Sequence, residues 1–470
     1  MSNRRQFLLT AGATALLAGL HPVLAGTGTS TVVRTGPGRS APPFGPLVPD
    51  PGRILDLPEG FSYRILSRAG ETMDDGLYVP GRHDGMAAFP LGRGRIALVC
   101  NHELDDEDRG DSAFGPTSER LERIDRARLF DAGDELASPG GTTTLVYHQR
   151  RGRKLRHFMS LAGTERNCAG GPTPWGSWLT CEESTVTAGR GRTRDHGWVF
   201  EVPARARRLV QAAPLTALGR FNHEAAAVDP ASGVVYLTED ERDGLFYRLV
   251  PERPGELLAG GRLQALALRD VEGSADTRNW PRASSARIPL GEPLAVEWID
   301  LEETDAPQGD LRRRGRAAGA AVFARGEGIW FGTGEVYFAC TSGGTIGSGQ
   351  IFRYRPSPDE GSHGEAADPG MLELFVESTD RRLLDHADNL TVSPWGDLIV
   401  CEDAASGCSL VGVTTQGSLY RFAENAYNGS ELAGVCFAPN GDTMFVNIQT
   451  SGLTLAIDGA FPSRRTGRTT

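Results

Sequence analysis

The sequence predicts an all-β fold: a six-bladed, β-propeller-like single domain with helical and loop insertions. Three observations lead there. A hairpin outline recurs six times, at residues 84–103, 168–183, 224–240, 327–342, 388–403 and 431–449. Most copies run from a polar or acidic residue through an apolar run, a Pro- or Gly-marked turn and a second apolar run to a polar end. A second motif recurs three times, as Gly244-Leu245-Phe246-Tyr247-Arg248-Leu249, Gly349-Gln350-Ile351-Phe352-Arg353-Tyr354 and Gly417-Ser418-Leu419-Tyr420-Arg421-Phe422. Finally, the chain has 60 Gly and 29 Pro and no long helical period, which suits sheets joined by turns. One sheet unit repeated at intervals of roughly 40 to 100 residues is the pattern of a propeller whose blades are separated by insertions.

In chain order, residues 1–25 read as a twin-arginine export signal. Arg4-Arg5-Gln6-Phe7-Leu8-Leu9 leads into an apolar run, and Val23-Leu24-Ala25 is a small-residue cleavage site. Residues 26–56 are rich in Gly, Pro, Ser and Thr without apolar periodicity, as in a linker or surface strap. The catalytic propeller is expected over 57–470. Its first strand falls in the alternating segment Leu57-Pro58-Glu59-Gly60-Phe61-Ser62-Tyr63-Arg64-Ile65-Leu66. Residues 104–140 are charged, with short helical stretches over 118–130, and form one insertion. Strands follow at 141–147 and 197–202. Residues 251–319 form the longest insertion, broken only by the apolar segment 293–299.

At 470 residues the chain can bury a large core. Its net charge of -11 argues against a nucleic-acid or anionic-membrane surface. Past the signal, no stretch reaches ~18 uninterrupted apolar residues, so no membrane association is expected after cleavage. The expected partners are the twin-arginine export machinery and small substrates, the location is periplasmic or secreted, and the chain is read as a monomer. Lys154 is the one lysine, so a cation that grips an oxyanion must be Arg, and Schiff-base and P-loop chemistry lose their usual residue. Seven cysteines in an exported chain would suggest disulfides with one left over, but Cys100, Cys181, Cys340 and Cys401 end strand patterns and read as buried small hydrophobes. Cys168, set among glycines in what reads as a loop, is the candidate metal thiolate.

Potential ligands recur at matching places in the repeats: Glu103, Cys168, Glu182, Glu183, Glu224, Glu239, Asp240, Glu327, Asp388, Glu402 and Asp403. Acids meeting on one axis repel one another and are costly to desolvate, and multivalent cations relieve both problems. Dense hard oxygens suit calcium, whereas a thiolate among carboxylates suits iron or another transition metal. Arg325 and Glu327 share one face of an extended segment, so one can hold an anion that the other's metal also binds. His102, His223 and His386 are candidates for core hydrogen bonding or ligand orientation. No G-x-S-x-G elbow, C-x-x-C pair or H-E-x-x-H spacing occurs.

The motifs Cys100-Asn101-His102-Glu103, Glu165-Arg166-Asn167-Cys168-Ala169-Gly170-Gly171, Thr173-Pro174-Trp175-Gly176-Ser177-Trp178-Leu179-Thr180-Cys181-Glu182-Glu183, Gly219-Arg220-Phe221-Asn222-His223-Glu224, Arg325-Gly326-Glu327-Gly328 and Asp388-Asn389-Leu390 resemble the PhoX family of bacterial alkaline phosphatases. The resemblance extends from about Phe61 to Ile457. It implies hydrolysis of phosphate monoesters at a site with two Fe3+ and several Ca2+ ions. Carried over by position, it implies that Cys168 bridges the irons, that Glu224, Glu327 and Asp403 ligate them, that Glu103, Glu182 and Glu183 bind calcium, and that Arg325 contacts phosphate. The segment Arg82-His83-Asp84-Gly85-Met86 departs from the Pro-Asp-Gly-Met form of the family. Two other readings keep the propeller and calcium: a hydrolase of phosphodiesters or lactones, and a non-catalytic binding propeller. A structural calcium site alone needs neither a thiolate nor the paired arginine.

Overall fold

The computed structural model describes residues 43–282, 286–405 and 407–462; the export signal at 1–25 and the first part of the linker lie outside them. The described strands pair antiparallel in five sheets of six, three, nine, four and four strands. This corrects the expected six-bladed propeller. Four sheets stand as a propeller-like ring of blades, but the residues expected to form two more blades are one continuous nine-stranded sheet, from His223–Val228 at one edge to Gly326–Phe331 at the other.

The fusion is made by Pro293–Asp300, which pairs with Gly261–Leu268 on one side and with Met371–Glu377 on the other. An outer strand leaves a row of N–H and C=O groups unpaired, and this one strand satisfies two such edges at once. The sheet curls until its edge strands pack on each other, giving a near-closed barrel. Its interior is aromatic: Phe246 and Phe338 stack with centroids 4.3 Å apart, and Phe323 meets Phe338 edge-on at 5.4 Å. The 251–319 segment, expected as an excursion, thus supplies two strands as well as the α-helix Leu311–Ala317.

Six strands surround a common axis. His83–Gly92, Asn167–Pro172, His223–Val228, Gly326–Phe331, Ala387–Val392 and Leu432–Phe437 neighbour one another in that cyclic order, the third and fourth being the barrel's edges. Each begins a hairpin with the strand that follows it. In four hairpins Pro opens the turn (Pro174, Pro230, Pro394, Pro439), and a Gly at positive φ closes it (Gly176, Gly233, Gly396, Gly441). Packing around the axis is close. A Cβ on Gly171 would sit 1.8 Å from the Ala226 carbonyl oxygen, so a side chain there would push two inner strands apart.

The chain's two ends close the ring, because Ser62–Arg68 pairs with Leu453–Asp458. The expected first strand is split at Glu59-Gly60, where Gly60 has φ +84°; its first two residues, Leu57 and Pro58, belong to a separate strand, Leu55–Pro58, that pairs with Leu419–Asn425 through Leu55 and Asp56 and with Leu47–Val48 through Leu57 and Pro58. The 104–140 insertion carries three short 3-10 helices. All seven cysteines are free and buried, so no disulfide staples the fold. Among the described residues no helix is long and apolar enough to cross a membrane.

A buried charged triad locks the insertion to the second sheet. His196 Nδ1 lies 2.7 Å from Glu182 Oε1 and its Nε2 lies 3.3 Å from Asp131, with all three side chains fully buried. Burial alone would lower the imidazole pKa, but Glu182 and Asp131 outweigh it and push it up to about 10. A raised folded-state pKa contributes stability that is complete below the unfolded value and is lost as pH rises through the folded one. The contribution of His196 is therefore expected to fade between about pH 6.5 and about pH 10. His196→Ala should cost ~3–5 kcal/mol near neutral pH, because it leaves two carboxylates buried without their cation. Urea unfolding of both proteins at pH 7 and pH 10 checks this, and a stability gap that stays constant with pH would refute it.

Candidate metal centre

At the start of all six inner strands the ladder slips, so that two residues face one on the partner strand. Such a bulge re-aims a side chain that the regular pleat would bury within its own sheet. In the first five strands the first bulged residue is a potential ligand: Asp84, Cys168, Glu224, Glu327 and Asp388. In the sixth it is Gly434, at φ +61°, where a Cβ would fall 2.3 Å from the Asp84 carbonyl oxygen. No side chain fits there, and Glu431, just before that strand, reaches the axis instead.

One backbone hydrogen bond repeats six times and sets a second ring of residues. The N–H groups of Glu103, Glu183, Asp240, Thr341, Asp403 and Gln449 donate to the carbonyls of Arg82, Arg166, Asn222, Arg325, His386 and Glu431, at 3.0–3.3 Å. Arg82, Arg166, Arg325 and His386 take positive φ to do so, a costly backbone state for residues other than Gly and one that gathers at functional sites. Each repeat therefore brings two or three of these residues to the axis. The product is a cavity of about 400 Å³ with nine carboxylates, three guanidinium groups and the Cys168 thiol in its wall.

The ring sorts the adjacent acid pairs that the sequence could not. Glu182, Glu239 and Glu402 end their strands and turn away from the cavity. Glu182 accepts from the N–H groups of Glu165, Gly197 and Trp198. Glu239 accepts from Leu245 N–H and Tyr247 Oη, and Glu402 from Asp385 and Ser409 N–H. The residues one step on, Glu183, Asp240 and Asp403, enter the cavity. Glu182, expected as a calcium ligand, is thus a structural carboxylate, whereas Cys168, Glu224, Glu327, Asp403, Glu103, Glu183 and Arg325 all line the cavity. Asp240 and Asp388, potential ligands by their place in the repeat, line it too, and Asp84, Glu431, Arg82 and Arg166 join them. Two of the repeats begin at Asp84 and Glu431, and that position was the available signal for these two. Cys168 lies in the bulge of a strand rather than in a loop.

His102 and His223 face backbone carbonyls, at 2.8 Å from Gly81 and 2.9 Å from Gly219, and burial holds their pKa values down to about 4 and about 3. They are neutral packing groups outside the cavity wall. His386 bonds its neighbour Asp385.

Three sets of ligand atoms approach within 4.8 Å of one another: Cys168, Glu183 and Glu224; Glu224, Glu327 and Asp388; and Asp84, Glu103 and Glu431. Glu224 belongs to two sets, so a single carboxylate can serve adjacent positions. Burial, and then mutual repulsion, pushes Asp84, Glu183, Glu224, Glu327 and Glu431 well above the usual carboxylate range and Asp388 up to about 7. Burial and the neighbouring Glu224 also push the Cys168 thiol up. Among the described residues nine acids face three arginines in the wall, and bound multivalent cations are what would stabilise the excess acids in their charged form. Arg325 is held by Asp240 through two bonds of 2.7 Å and lies 3.1 Å from Glu327; Arg166 bridges Glu103 at 2.9 Å and Glu183 at 2.7 Å.

Comparison with known proteins agrees with this geometry. The family model described as alkaline phosphatase PhoX matches residues 42–452. The solved structure of Pseudomonas fluorescens PhoX in complex with vanadate, a transition state analogue, shares the fold with a TM-score of 0.65 at 18% identity, covering 90% of this chain and 98% of that one. A gluconolactonase from Xanthomonas campestris (TM-score 0.41, 14% identity, 90% of this chain and 100% of that one) and a streptogramin B lyase (0.40, 10%, 85% and 98%) are too distant to bear on the reading. No curated protein sequence matches the chain. With its family model matched over nearly the whole described chain and its metal-ligand sets assembled in one cavity, the chain belongs to the PhoX alkaline phosphatase family and is a metal-dependent hydrolase of that family.

Proposed function

We propose that the protein releases phosphate from phosphate monoesters at this cavity, using an iron and calcium cluster held by a thiolate and carboxylates. The observation that carries the reading is the grouping of the Cys168 sulfur with Glu183 and Glu224 oxygens within 4.8 Å. A thiolate among carboxylates favours iron over calcium, and the all-oxygen set Asp84, Glu103 and Glu431 favours calcium. Glu224, Glu327, Asp388 and Asp403 complete the iron side. Bound cations would supply charge neutralisation and Lewis-acid activation at phosphorus.

The chain's own residues do the rest. Arg325, 36% exposed at the cavity wall, presents a planar fork that can exchange Asp240 for two phosphate oxygens. Arg166, bonded to both Glu103 and Glu183, offsets their mutual repulsion. The cavity, of about 400 Å³ and lined mainly by charged groups, suits a small charged head, with the ester's organic part left in solvent. Secretion through the twin-arginine route, with activity in the periplasm or outside the cell, belongs to the same reading.

Elemental analysis of the purified protein should find iron together with calcium, and p-nitrophenyl phosphate hydrolysis should disappear on chelation. Calcium without iron, or zinc alone, would rule out the proposed cluster.

A further inference from the structure

Charge on this protein is segregated. A second cavity, of about 330 Å³, lies where two neighbouring sheets meet at their outer ends. Arg95, Arg156, Arg205 and Arg207 line it over an apolar floor that includes Leu155 and Phe158. Among the described residues no carboxylate lines it. Among the described residues, none of the four arginines is in an ion pair. Arg95 donates to the Gly92 carbonyl, and Arg156 lies over the Phe158 ring at 4.8 Å. Arg150, Arg151, Arg153 and Arg208 are exposed beside them, and no acid occurs within 148–157 or 203–212.

The register places this surface far from the metal centre. His83–Gly92 starts at the cavity and ends three residues before Arg95, which pairs with His148, itself paired with Arg153. Pro203, just before Arg205, pairs with Ser177, the end of its strand away from Glu182. A ten-residue strand spans roughly 30 Å, whereas charge is screened over about 10 Å at 0.1 M salt. The net charge of -11 therefore does not govern what this face attracts.

We propose that this face docks the protein on an anionic phospholipid surface, with lipid phosphates on the four arginines and Leu155 at the headgroup boundary. The apolar floor and Leu155, 37% exposed, favour an amphiphile over a nucleic acid, whose recognition as a single strand would call for aromatic stacking platforms. Docked this way, the acidic mouth points away from the like-charged membrane, towards soluble substrate.

Vesicle flotation of the full chain tests the proposal. It should bind phosphatidylcholine vesicles containing phosphatidylglycerol more tightly than phosphatidylcholine alone, with the difference falling as salt rises. Arg95→Gln, Arg156→Gln, Arg205→Gln and Arg207→Gln combined should weaken this binding several-hundredfold, at about fivefold for each arginine. Hydrolysis of a soluble ester and the melting temperature should stay unchanged. Leu155→Ser should weaken binding severalfold without altering its salt dependence. Equal binding by the wild type and the fourfold variant, absence of binding, or retention on duplex DNA in preference to vesicles would each overturn the proposal.

Discussion

Cys168→Ala is expected to remove iron content and hydrolytic activity together, with kcat/KM falling by more than ~100-fold, beyond the ~10–100-fold cost of losing a metal ligand's outer partner. The sulfur is buried, 3.3 Å from the carbonyl oxygens of His223 and Glu224, and forms one of the three ligand sets. Burial keeps its proton on, so a cation must displace it. Were Cys168 only a small hydrophobe, alanine would be nearly isosteric and activity would survive. Cys181 is the matched control, being buried in the same core but outside the ligand sets. Cys181→Ala should keep both iron and activity. Metal analysis and phosphate-release kinetics on the two variants decide the matter, and full activity in a folded Cys168→Ala protein would end the iron assignment.

The second large effect is expected at Arg325. Arg325→Ala should lower kcat/KM by about 10²–10³ without loss of metal, and should weaken inhibition by inorganic phosphate in parallel. The guanidinium already donates through two nitrogens to the two oxygens of Asp240, which two phosphate oxygens could replace. Arg325→Lys should recover only part of the rate, because an ammonium restores charge but not the two-pronged grip. Unchanged phosphate inhibition in the alanine variant would show that Arg325 serves only to neutralise Asp240 and Glu327.

Much of this site was legible along the chain. The strand-start positions of Glu224, Glu327 and Asp388 and the Gly-framed Cys168 stand out because a hairpin repeat puts equivalent residues at equivalent places. The adjacent acids were not separable. Glu182 and Glu183 differ by one residue, hence by one face of the pleat, and what brings Glu183 to the axis is the bond from its N–H to the Arg166 carbonyl, a contact between residues far apart in the chain; the bulges that aim the inner-strand ligands have no fixed signature either, their second residue being Gly85, Ala169, Ala225, Gly328, Asn389 or Val435. Arg166 read as a motif residue without a role until its two carboxylate partners came within reach.

By itself the sequence determined that the chain folds as sheets, that six hairpins share one outline, and that acids, a thiol and arginines cluster at their ends, because these are local properties of composition and period. Tertiary structure alone decided that Pro293–Asp300 joins two would-be blades into a barrel, that Glu182 turns away from the cavity while Glu183 enters it, and that the arginines of distant segments share one face. Alternation tells a strand which side is apolar but not which edge it will pair with. That choice depends on open backbone groups brought together from residues far apart in the chain.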